Sequence, residues 1–237
     1  MKNYLMIAAL ALTLAACKKN EPLVPVSGQS KTASFFNAGN DPAANPANPF
    51  DDAGRLHNSA LSYVVTHIKS IDQSRVDEVL KVTSQYVADS LKSPMPDSAI
   101  DAVKALIADD QHQYENEINR RPLSETAKQY AQVLVKMFSG SDGSFDQFKS
   151  AIVDLEARII ADKTLSEQER KSLLSATSVA RYSLYFWMRS PSLPARLNIF
   201  VAAHDAVGTL VGGFSFGAFA SAAARAVVKQ DWGFFAD

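Results

Sequence analysis

Ser166-Glu167-Gln168-Glu169-Arg170-Lys171-Ser172-Leu173-Leu174-Ser175-Ala176-Thr177-Ser178-Val179-Ala180-Arg181-Tyr182-Ser183-Leu184-Tyr185-Phe186-Trp187 is the stretch that decides the class of this chain. It opens with a capping box: the Ser166 hydroxyl bonds forward to the first-turn amides, and Glu169 reaches back to the Ser166 amide. Leu173, Leu174, Val179, Tyr182, Leu184, Phe186 and Trp187 then carry the apolar content of a long helix. Ser190-Pro191-Ser192-Leu193-Pro194 ends it, because proline cannot continue the ladder.

The same grammar recurs toward the N-terminus. Ser144 caps a helix lined by Phe145, Phe148, Ile152, Leu155 and Ile159. Gly140-Ser141-Asp142-Gly143 is the loop before it. Ser124 caps another, with Ala127, Tyr130, Ala131, Leu134, Met137 and Phe138 inward, and Pro122 breaks what precedes it. A helix capped by Asp97 or Ser98 carries Ile100, Val103, Leu106 and Ile107 and continues toward Ile118. Residues 74–92 form one more, stopped by Pro94-Met95-Pro96. Behind an Asp51 cap, Leu56, Ala60, Val64 and Ile68 recur every four residues, with Ala53, Leu61 and Val65 beside them. That spacing has a period of 3.6, not 2. No run of alternating strands and no repeat interrupts the series. The expected class is all-α: a single bundle of about six or seven helices.

Beyond Asp205 the chain runs uncharged from Ala206 to Ala224, with Gly208, Gly212, Gly213 and Gly217 inside. Glycines four apart let a neighbouring backbone approach closely. Each costs about 1 kcal/mol in a helix relative to alanine, so close packing must offset them. The expected form is a buried core helix or helix pair. A membrane-inserted glycine zipper over 206–224 is the alternative.

The opposite end reads as an address. Met1-Lys2-Asn3 is basic, Tyr4 to Leu14 is uncharged and mostly aliphatic, and Leu14-Ala15-Ala16-Cys17 follows. A positive start, a short apolar run and small residues before a cut make a secretory signal. The run is short of the ~20 residues of a spanning helix. The tetrad resembles the lipoprotein signal, in which cleavage precedes the cysteine and its thiol carries lipid. Residues 1–16 are then a signal peptide and Cys17 is the lipidation site. The resemblance implies an envelope location, with Lys18-Lys19 favouring the outer membrane. Residues 17–49 carry five of the ten prolines and read as a flexible tether, with a root-mean-square reach of roughly 30 Å. Residues 50–237 remain for the helical domain.

Composition excludes several classes. The net charge is −1, without the basic patch of a nucleic-acid binder. Cys17 is the only cysteine, so a lipidated chain has no thiol for disulfides or catalysis. None of His57, His67, His112 and His204 sits in a tight ligand spacing. Asp109, Asp110, His112 and Glu115 read as a solvated helix face. Gly213-Phe214-Ser215-Phe216-Gly217 matches the nucleophile elbow of α/β-hydrolases, but no histidine follows it. The chain implies no metal and no cofactor.

The remaining signal is Asn48-Pro49-Phe50-Asp51-x-x-Gly54-x-x-His57-Asn58. Asn48-Pro49 fixes an extended approach, and His57-Asn58 is placed to bond it back to the helix. His204-Asp205 stands at the mouth of the glycine segment. His57, Asn58, His204 and Asp205 are therefore the candidate binding residues. The Asn48–Asn58 stretch and the glycine-rich segment resemble parts of uncharacterised exported lipoproteins of Bacteroidota, a group that implies no activity. The expectation is a lipid-anchored envelope protein that binds a protein or small molecule or serves as a scaffold. A membrane-active zipper and a hydrolase or metal-dependent enzyme are the rivals.

Overall fold

A helix buried all the way round must lie at the centre of its bundle, and one helix here is. The computed structural model describes residues 41–67, 76–91, 113–139, 143–189, 195–212 and Gly217. The chain divides into Met1–Gly39 and Asn40–Asp237, and all of these residues belong to the second unit. They form helices α1 (Asp52–His67), α2 (Val76–Leu91), α3 (Gln113–Arg120), α4 (Glu125–Phe138), α5 (Phe145–Ala161), α6 (Glu167–Met188) and α7 (Ala195–Gly212). No strand occurs among the described residues, and the fold is all-α.

The central helix is α6. Every residue from Ala176 to Leu184 is buried, and so is Trp187. Its most extensive partner is α7, followed by α1 and α5, and α4 also touches it. On α7, Val201 to Leu210 are all buried. Ala127, Ala131, Leu134 and Phe138 of α4 join Phe148, Ile152, Leu155 and Ile159 of α5 in the same core. Phe138 stacks on Phe148 at 6.0 Å.

The predicted caps at Ser144 and Ser166 are both full capping boxes, closed by Gln147 and Glu169. Ser124 caps α4 by accepting from the Ala127 amide at 3.2 Å. Glu169 does more than close its own box. One carboxylate oxygen accepts from the Ser166 amide at 2.9 Å and the other from the Ser124 amide at 2.7 Å. One side chain therefore serves the N-termini of two helices. These bonds hold its carboxyl down to about 2.

Three expectations need correction. Leu56, expected on the apolar stripe of α1, is 44% exposed, and the buried face is Gly54, His57, Asn58, Ala60 and Leu61. Helix α1 meets a polar stripe of α6, so its polar residues turn inward. Asp51 precedes α1, but its carboxylate is engaged by other groups, described below. The orphan Gly54 amide instead donates to Ser178 Oγ of α6 at 3.1 Å. Finally, residues 41–49, expected in the tether, are built into the body. They make consecutive turns with an Asx residue first and proline second: Asp41-Pro42, Asn45-Pro46 and Asn48-Pro49. Each Asx side chain accepts from the amide two residues on, in Ala43, Ala47 and Phe50, at 2.9, 3.2 and 2.8 Å. Proline presets φ and the Asx oxygen closes the turn, so this proline-rich stretch is turned rather than extended.

The described part of the glycine segment divides between α7, which runs to Gly212, and Gly217, which is helical and buried. Helix α7 starts at Ala195, well before the segment that drew attention in the sequence. No helix among the described residues is long and apolar enough to cross a membrane. The helix expected over Ile100–Ile107, the Asp109–His112 stretch and Ser215 lie outside the described residues.

Candidate functional site

Two buried polar clusters meet at Tyr182, one bonding its hydroxyl and the other its backbone carbonyl, and both join distant parts of the chain to α6.

The first centres on Glu156 of α5 and Arg181 of α6, both wholly buried. Glu156 accepts from Arg181 Nη2 at 3.0 Å, Thr177 Oγ1 at 2.9 Å, and Asn45 and Asn48 Nδ2 at 2.6 Å each. Arg181 also donates to the Ala43 carbonyl and to Asp51 Oδ1. The Tyr182 hydroxyl donates to Asp51 Oδ2 at 3.1 Å. Burial and the Asp51 carboxylate push that phenol above its ordinary range. Asn48 Nδ2 further donates to the Leu174 carbonyl at 2.9 Å. Charges buried at this depth persist only when paired and fully hydrogen-bonded. Here the turns of residues 41–51 supply those bonds. The strap is held by α5 and α6, not by His57-Asn58 as expected.

The second cluster gathers all four candidate binding residues. His57 and Asn58 lie on α1, His204 and Asp205 on α7, and all are buried. Asn58 Nδ2 donates to the Tyr182 carbonyl at 2.8 Å, which turns its Oδ1 toward His57 Nδ1, 3.2 Å away. His57 Nε2 faces Asp205 Oδ2 at 3.6 Å and has no well-aligned hydrogen-bond partner. The Ser183 hydroxyl donates to the same Oδ2. His204 turns away from His57 and meets the Tyr114 hydroxyl of α3, its Nδ1 2.5 Å off and the two rings edge to face at 5.0 Å. Burial pushes His57 down to about 4, against smaller opposing effects of Asn58 and the Gly217 backbone. The ring is therefore neutral at pH 7. Burial, and second the proximity of Asp205, push the Tyr114 phenol well above its ordinary value.

Two glycines explain how the helices come this close. A Cβ on Gly54 would stand 2.6 Å from the Ser178 carbonyl oxygen and 2.4 Å from Tyr182 Cδ2. A Cβ on Gly217 would stand 2.1 Å from Thr209 Oγ1 and 2.8 Å from the Asp205 carbonyl oxygen. Gly54 thus sets the α1–α6 approach, and Gly217 lies directly on the Asp205–Thr209 turn of α7.

Chemically, the second cluster is a structural joint. Histidine, carboxylate and hydroxyl are all present, but the hydroxyl gives its proton to the carboxylate and not to the imidazole. A nucleophilic triad needs the reverse order. No group of three metal-ligating side chains occurs among the described residues. The sequence singled out Asp51, Gly54, His57, Asn58, His204 and Asp205, and the structure places each of them in or beside these two buried clusters. Sequence reasoning missed Asn45, Glu156, Thr177, Arg181 and Ser183. The available signal was the density of polar residues in a helix with apolar residues on every side.

No protein-family model matches this chain, and neither does any curated protein or solved structure.

Proposed function

We propose that this protein is a lipid-anchored domain of the cell envelope, held through Cys17 and acting as a binding or scaffolding body without chemical turnover. One observation carries the non-catalytic half: His57, Asn58, His204 and Asp205 are at most 2% exposed and are occupied in joining α1, α6 and α7. A catalytic set must reach its substrate, and these side chains are closed off from solvent. Leu14-Ala15-Ala16-Cys17 supports the anchored half. Turns that seat residues 41–51 on Glu156 and Arg181 suit a domain that is tied at its N-terminus.

The test has two arms in the native host. Metabolic labelling with an alkyne fatty acid should mark the wild-type chain and not Cys17→Ala, and the variant should leave the membrane fraction. Equal labelling of both chains, or an intact leader in the mature protein, refutes the anchor. Cross-linking in intact cells should trap a partner equally well in wild type and in His57→Gln, once both are shown to be folded. A reaction catalysed by the purified chain and abolished in folded His57→Gln refutes the binding role.

A further inference from the structure

Residues 41–51 sit on the body as a ligand sits in a site. Their turns are closed by their own bonds. The amides of Ala44, Asn48 and Asp51 donate to the carbonyls of Asp41, Asn45 and Asn48 at 2.9, 3.0 and 3.1 Å. The Asp51 carboxylate reaches back to the Asn45 amide at 3.3 Å. Proline and the Asx side chains fix each turn locally. A segment that orders itself loses less entropy on docking. Its attachment is chiefly polar: Ala43, Asn45 and Asn48 are buried, whereas Pro42, Pro46, Ala47 and Pro49 are exposed.

The receiving groups on α5 and α6 stand without the strap. Glu156 pairs with Arg181 at 3.0 Å and accepts the Thr177 hydroxyl at 2.9 Å. Departure of the strap therefore strands no lone buried ion, the costly case. What these groups have left over reads a pattern. Glu156 offers one oxygen to each of two amide side chains three residues apart, Oε2 to Asn45 and Oε1 to Asn48. Arg181 holds the Ala43 carbonyl and one oxygen of Asp51, and the Tyr182 hydroxyl holds the other.

We propose that this groove between α5 and α6 is a peptide-recognition site for the pattern Asn-Pro-x-Asn-Pro-x-Asp, and that residues 41–51 are its tethered ligand, displaced by a partner peptide of the same pattern. Each fixed position has a reason. The two asparagines serve the two Glu156 oxygens, the prolines preset the turns, and the aspartate meets Arg181 and Tyr182. An aspartate in place of either asparagine sets a carboxylate against Glu156, and such repulsion gives specificity. The strap runs straight into α1 at Asp52, so it competes at an effective concentration of about millimolar. This assigns a site to the binding role proposed above and rests on that reading.

The test uses a fluorescent peptide of residues 41–52 and the full chain. Asn45→Ala with Asn48→Ala in the chain weakens the strap and leaves the groove's own side chains intact. Fluorescence anisotropy should show the peptide binding this chain at least about tenfold more tightly than wild type, whose strap competes. A peptide carrying the same two alanines should not bind. Should the double variant fail to fold, Asn45→Ala alone is the host, since Asn48 keeps Glu156 and the Leu174 carbonyl. No binding to the weakened chain overturns the proposal. So does equal binding of the two peptides, or equal affinity for the two chains, because the peptide is then held elsewhere. Fatty-acid labelling and cross-linking in cells do not depend on this groove, so a failure here leaves the anchored binding reading standing. Failure of that reading leaves the measured affinity of the groove unchanged.

Discussion

Glu156 receives hydrogen bonds from four side chains on two separate parts of the chain, the 41–51 turns and α6, and is wholly buried. Replacing it with alanine leaves Asp51 and the Ala43 carbonyl as the acceptors of Arg181, takes the side-chain acceptor of Asn45 Nδ2, and leaves Asn48 Nδ2 with the Leu174 carbonyl alone. Breaking a buried pair from one side costs about 3–5 kcal/mol, and a urea melt of Glu156→Ala should show a loss of that size. A loss below about 1 kcal/mol would show that the strap does not depend on this carboxylate. At Gly54 the limit is steric. Alanine normally gains up to about 1 kcal/mol over glycine in a helix, yet here its Cβ meets the Ser178 carbonyl at 2.6 Å. A backbone oxygen cannot swing aside, so Gly54→Ala should destabilise by about 1–3 kcal/mol, the usual range for overpacking. A stabilised Gly54→Ala would mean that α1 and α6 sit farther apart. Leu56, by contrast, faces water, and Leu56→Lys should stay within about 0.5 kcal/mol of wild type.

At the level of helices, Glu169 couples the starts of α4 and α6 through the Ser124 amide, 45 residues away, and its own cap. The hydrogen bonds favour its ionised form, lowering its carboxyl from 4.5 to about 2. A depressed carboxyl contributes stability that is complete above its ordinary value and is lost as pH falls from about 4.5 through 2. Denaturant melts between pH 2 and 5 should therefore show a steeper acid decline for wild type than for Glu169→Gln. Parallel curves would remove Glu169 from the acid response. Helix α6 also shows how an element's role depends on its neighbours. Its cap and length are local properties, but Thr177, Ser178, Arg181 and Ser183 would face solvent in an isolated amphipathic helix. In the bundle they are buried, because α5, α7, α1 and the strap surround them. Each polar group then needs a partner from another element. That requirement selects where the strap and α1 dock.

For the molecule as a whole, the boundary between body and N-terminal region lies near Asn40, and two truncations test it. Removal of residues 1–40 should leave the melting temperature of the body unchanged. Removal through Pro49 should lower it by several degrees, because Asn45 and Asn48 leave with the strap and Glu156 and Arg181 lose partners. Equal melting temperatures would return residues 41–49 to the tether. The all-α class, the three serine caps and the apolar core of α4 and α5 were legible in the chain, since capping and 3.6-residue periodicity operate within a few residues. Asp51, Gly54, His57, Asn58 and Asp205 were legible as unusual, but not as partners. What they bond to lies on other helices, up to 131 residues away in the case of Asp51 and Tyr182. Proline-rich composition at 41–49 suggested freedom because no local term rewards order there. The reward comes from two buried charges on α5 and α6. Local hydrogen-bond and packing rules, written in the sequence, determined which segments are helical and where they start. The tertiary structure alone decided which polar residues are buried and what they pair with, because desolvation acts only after distant helices meet.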